Sequence, residues 1–140
     1  MQPVSRRDFH KAIASSLAFA WTNSYQEDVI VVTDDSFEEK VLDSELPVLL
    51  DIWKPRCGGC TWIAPILEEL AKELKQELVI GKLNNDSNPR TVKAYQVKRF
   101  PTLLLFMPDK AGGSRKVYVE IQPSFNKDIL LKRIKEELSK

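Results

Sequence analysis

Histidine occurs once in the 140 residues, cysteine twice, methionine twice and glycine five times. One histidine and two cysteines cannot supply the four Cys/His ligands of a structural zinc site from a single chain. No apolar run approaches the ~18 residues that a membrane-spanning helix needs. An excess of one charge sign is also missing, because 21 basic residues stand against 20 acidic ones, a net of +1. That balance argues against a nucleic-acid binder working through a broad basic face. The chain has no internal repeat and no low-complexity segment. What remains is ordinary for a globular protein, with 43% apolar and 29% charged residues. A chain of this size can bury a core without disulfide staples. Chemistry is therefore to be sought at the scarce reactive side chains, above all Cys57 and Cys60.

The first 28 residues differ from the rest. Ser5-Arg6-Arg7-Asp8-Phe9-His10-Lys11 sets paired arginines before an aromatic residue and a lysine, a pattern that resembles a twin-arginine export signal. An apolar stretch from Ala12 to Ala20 follows, and Ala18-Phe19-Ala20 has the small-x-small form of a signal-peptidase site. Residues 1–20 are expected to be a signal peptide, 21–28 a short linker and 29–140 the folded domain. The expected location is the periplasm or an equivalent extracytoplasmic space. The alternative is a frayed amphipathic tail on a cytoplasmic protein. Losing Arg6, Arg7 and Lys11 together with Asp8 would take the net charge from +1 to −1, and neither form suggests an anionic partner.

From residue 29 onward strand-like and helix-like segments alternate. Val29–Val32 is a β-branched run, and Ser36 and Glu39 have capping-box spacing for a short helix through Leu42. Pro47–Trp53 is apolar enough for a strand buried on both faces. A helix is predicted from about Gly59 to Lys75, with Trp62, Ile63, Ile66, Leu67, Leu70 and Leu74 as its apolar stripe. Pro65 removes an amide donor inside it and is expected to kink it. A strand over Leu78–Leu83, a short helix over Asn88–Tyr95 with Pro89 in its first turn, and strands over Thr102–Met107 and Lys116–Ile121 come next. A last helix after Ser124 as cap, ending near Leu138, completes the order. The alternation implies an α/β fold with a largely parallel sheet flanked by helices and a C-terminal antiparallel hairpin.

Cys57-Gly58-Gly59-Cys60 lies between a buried strand and a helix start. A thiolate there faces unpaired amides and the positive end of the helix dipole. A disulfide across two residues is a poor staple, since so small a loop removes little entropy from the unfolded chain. The pair makes better sense as one that opens and closes.

With these residues placed, 29–140 resembles the thioredoxin family nearly end to end. The matching stretches are Val48–Trp53, Cys57–Cys60, Ile63–Leu67, Lys82–Asn84 and Phe100–Phe106. The resemblance implies the thioredoxin fold and a thiol-disulfide oxidoreductase that needs no cofactor and no metal. Cys57 would attack, Cys60 would resolve, and Asp51 would move the resolving cysteine's proton. Lys82 would stand near that carboxylate, Trp53 beneath the site, and Pro101 would be a cis-proline holding substrate. A carboxylate inside an apolar strand is costly when charged, so a raised Asp51 pKa is expected. Departures from the family pattern cluster at the site. Arg56 replaces an apolar residue and favours thiolate, Gly59 replaces a stiffening proline beside Gly58, Phe100 enlarges the residue before Pro101, and Glu120 or Ile121 falls where a glycine often flanks the groove. Trp53 and Trp62 are expected in the core.

The expected partners are proteins with disulfides or thiols and an unidentified electron donor, with the chain acting as a monomer, without nucleic acid and without a transmembrane segment. Two alternatives belong to other classes: a non-catalytic peptide-binding module, and metal held between the cysteine pairs of two copies.

Overall fold

The computed structural model describes residues 27–111 and 116–140, so the predicted export segment lies outside the described residues. Five strands form one sheet in the order β1-β3-β2-β4-β5: β1 (Val29–Val31), β2 (Val48–Trp53), β3 (Val79–Asn84), β4 (Thr102–Met107) and β5 (Val117–Ile121). The helices are α1 (Glu38–Leu42), α2 (Gly58–Glu73), α3 (Pro89–Ala94) and α4 (Lys127–Leu138). The expected mixed sheet between helices is present, with one difference in strand direction. β1 and β2 run parallel to β3, but β4 is antiparallel to β2 as well as to β5. The connection is no full helical crossover. A six-residue strand is roughly 20 Å long, whereas the six-residue α3 rises only about 9 Å. β4 re-enters at the end where β3 left, so the connection over 85–101 does not have to carry the chain back along the sheet.

α3 is held by features that local pattern hardly shows. Its first amides, Arg90 and Thr91, donate to the Asp34 carboxylate at 3.0 and 2.9 Å, a cap supplied from the far side of the sequence. Its far end closes with Gln96 donating to the Lys93 carbonyl and Val97 to that of Val92, at 3.1 and 3.0 Å. Gln96 takes φ +52° there, a position usually given to glycine.

Strand alternation sends side chains to two cores. Leu50, Ile52, Leu83, Leu104 and Phe106 face α1 and its neighbours, where Phe37, Tyr95 and Tyr118 pack around the Phe106 ring at centroid distances of 5.3 to 5.7 Å. Leu49, Ile80, Leu103 and Leu105 face α2 and α4, meeting Ile63, Leu67, Leu70, Leu130 and Ile134.

Three local expectations are corrected. Ser36 does not cap α1; its hydroxyl accepts from the Thr33 amide at 2.9 Å and closes the preceding turn. Asn126, not Ser124, caps α4, its side chain accepting from the Ile129 amide at 3.1 Å. Trp62 is 73% exposed. At 100° per residue it lies about a quarter-turn or more from the line through Ile63, Leu67, Leu70 and Leu74. Pro65 also faces outward, and α2 continues through it.

Candidate active site

β2 delivers the chain to the site, and the loop Lys54–Arg56 turns it into α2. Arg56 makes that turn with φ +58°, a conformation uncommon for a side chain of this kind. Cys57 then caps α2 from extended backbone, and its Sγ accepts from the Cys60 amide at 3.2 Å. Cys57 and Cys60 are joined as a disulfide with their Cα atoms 5.2 Å apart. Helical period separates their environments. Cys60 lies nearly one turn before Ile63 and is 6% exposed, while Cys57 is half-buried at the helix start. An attacking sulfur must be reachable and stabilised as thiolate; the free amide and helix dipole at Cys57 provide that.

Asp51 follows from the same alternation. It occupies the side of β2 that Leu49 and Trp53 share, facing α2, and is 5% exposed. Its Oδ1 has no hydrogen-bond partner among the described residues. Burial pushes its carboxyl from 3.8 up to about 7, while the charge of Lys82, its register partner on β3, pulls the other way. A cavity of about 280 Å³ is shared by the group and Cys60; its walls include Asp51, Trp53, Arg56, Cys60, Ala64 and Lys82. A carboxyl that titrates near neutrality, beside a buried sulfur, is suited to accept and return a proton.

The other wall of the site comes from the loop before β4. The Phe100–Pro101 peptide is cis. A Cβ at Gly59 would lie 3.1 Å from Pro101 Cδ and 3.7 Å from Phe125 Cζ, so glycine is what lets the α2 start approach this loop. Gly58 has no such neighbour within 4 Å. Lys54 Nζ sits 5.2 Å from the centre of the Phe100 ring, linking the two loops. Ile121 is buried at 3% exposure, whereas Glu120 is exposed and pairs with Arg99 at 3.5 Å. The fold thus gathers Asp51, Trp53, Arg56, Cys60 and Lys82 around one cavity, and Gly59, Phe100 and Pro101 beside it. Phe125 is the neighbour that sequence reasoning missed. Its only signal was an aromatic residue standing in a polar stretch just before a helix cap.

Two sulfurs that can be joined or separated, one half-buried at the helix start and one buried, pass electrons in pairs by exchanging partners. Fold and site therefore define a class, the proteins that exchange disulfides. The thioredoxin family model matches residues 28–135, and the chain belongs to the thioredoxin family as a thiol-disulfide oxidoreductase. It is 50% identical over 87 residues to the thioredoxin of Acidithiobacillus ferridurans, covering 62% of this chain and 81% of that protein. Identity to the thioredoxin of Synechocystis sp. is 45% over 84 residues, covering 60% and 75%. Among solved structures, the Trx4 domain of ERdj5 superposes with TM-score 0.72 at 26% identity, over 81% of this chain and 97% of that one. No helix among the described residues is long and apolar enough to cross a membrane.

Proposed function

We propose that the protein works as a dithiol reductant of disulfides in other proteins, with Cys57 as nucleophile, Cys60 as resolving thiol and Asp51 as proton acceptor. The observation that carries this is the division of the pair at the α2 start, with one sulfur reachable and amide-bonded and the other buried on the cavity that Asp51 lines. In the reduced protein the Cys57 thiolate attacks one sulfur of the substrate disulfide. A mixed disulfide forms, and the other substrate sulfur leaves as thiolate. Cys60 then gives its proton to Asp51 and attacks the Cys57 sulfur, which closes the Cys57–Cys60 bond and expels the second substrate sulfur. Two electrons have passed to the substrate, and an external dithiol donor must return them. Phe100 and Pro101 would hold the substrate chain alongside, with Trp53, Gly58 and Gly59 shaping the support.

The test is Cys60→Ser, which leaves attack possible but resolution impossible. Mixed disulfides with client proteins should accumulate on Cys57 and disappear on adding dithiothreitol. A variant that traps nothing would point instead to a peptide-binding module. Export belongs to the same proposal, supported by Arg6-Arg7 and Ala18-Phe19-Ala20. It calls for mature protein lacking residues 1–20, and an intact N-terminus in a cytosolic fraction would refute it. Action as a monomer and a part in cellular electron transport complete the reading.

A further inference from the structure

Among the described residues, some surface cations are matched by carboxylates and others, such as Lys72 and Lys93, are not; the two beside Cys57 belong to the second group and stand at the site. Arg90 is matched by Asp34 and Asp35, Arg99 by Glu120, and Lys127 by Glu69 and Glu73. Lys54 and Arg56 are exposed and stand within three residues of the nucleophile, and neither has a carboxylate within 4.0 Å among the described residues. Both border the cavity beside the cysteine pair, together with Lys82. The one acid on that wall is Asp51, at 5% exposure, which is buried under the site and does not front an approaching chain. Lys54 is also held in place over the Phe100 ring, next to the cis peptide. Cations fixed at a rim without counter-charges attract carboxylates from solution, speed encounter and disfavour cationic partners. Gly59 adds apolar neighbours to the site, Pro101 and the 63%-exposed Phe125.

We propose that Lys54 and Arg56 select substrates by charge, favouring disulfide-bearing polypeptides with Asp or Glu side chains next to the attacked cysteine. This rests on Cys57 being the attacking sulfur, and it adds a substrate class to that role. The partner is an extended acidic segment whose carboxylates meet the rim while its disulfide reaches Cys57.

The experiment uses three disulfide-linked peptides of equal length, with glutamate, glutamine or lysine flanking the cysteine. Each is mixed with fully reduced protein, and the single-turnover rate is followed at low and high salt. The glutamate peptide should react faster than the lysine peptide by about tenfold or more at low salt, and added salt should shrink the ratio. Lys54→Glu with Arg56→Glu should reverse the order, and Lys54→Gln alone should reduce the ratio. Comparing peptides within one variant cancels any change in the intrinsic reactivity of Cys57. Equal rates for the glutamate and lysine peptides, or a preference that survives both substitutions to glutamate, would overturn the proposal while leaving the oxidoreductase role intact. If the glutamine peptide is not reduced at all, the role assigned to Cys57 fails and the charge selection falls with it.

Discussion

On the face of the sheet covered by α1 and α3, Leu50, Ile52, Leu104 and Phe106 point into a core closed by Phe37 and Tyr95, with no carboxylate among its described buried residues. On the face covered by α2 and α4, the same alternation sets Asp51 beyond Leu49. Both faces bury apolar area with similar thoroughness. The first face does hold Lys116, whose amine burial pushes down, but its Nζ donates to the Leu46 carbonyl at 2.6 Å; Asp51, on the face that carries the cysteines, keeps a buried oxygen with no such partner among the described residues. The contrast teaches that the fold does not need Asp51. An apolar side chain there would bury without the desolvation cost, and that cost is what the proton-acceptor role proposed for Asp51 would account for.

Substitutions on the two faces sharpen that contrast. Cys57→Ser should abolish dithiothreitol-driven reduction of insulin disulfides, while far-UV circular dichroism and chemical denaturation under reducing conditions show the fold retained. Full activity in this variant would refute the assignment of the nucleophile. Phe106→Ala, on the other face, should do the converse. Truncating a buried aromatic costs about 3–5 kcal/mol, visible as a lower urea midpoint, with the activity of each folded molecule unchanged.

Asp51→Asn should act on stability and on rate in opposite senses. The carboxyl moves from 3.8 in the unfolded chain to about 7 in the fold, so the native state holds its proton more tightly. Its contribution is therefore fully present below the unfolded value and is lost as pH rises through the window up to about 7. The loss reaches at most about 4 kcal/mol at the usual free-energy equivalent of a pKa difference. The asparagine variant should lack this slope and be the more stable protein above neutrality, yet resolve mixed disulfides more slowly because Cys60 has lost its proton acceptor. Parallel stability–pH curves for the two proteins would refute the burial argument, and an unchanged resolution rate would refute the proton role. The smallest effect is expected from Trp62→Ala. Because the side chain is 73% exposed, stability should change by no more than about 0.5 kcal/mol. A loss of several times that would restore Trp62 to the core.

Much of this molecule is determined by local pattern. β-Branched and apolar runs at period two mark the strands, β4 from Thr102 to Met107 among them, and period 3.6 marks α2 and α4. The strand pattern set Asp51 inside an apolar run and the helix start set the place of Cys57, while the buried place of Cys60 was implied by the family resemblance. Tertiary structure decided the features that depend on remote partners. The antiparallel pairing of β4 with β2 joins segments some fifty residues apart, and α3 is capped by Asp34, more than fifty residues earlier. Trp62 is outside because the line of contact on α2 is narrower than its apolar composition suggests. The approach of Gly59 to Pro101 and Phe125, and the seating of Lys54 over Phe100, join segments that are distant in the chain. Local periodicity specifies the direction in which a side chain points; which groups it then meets is settled only when the sheet and its helices pack.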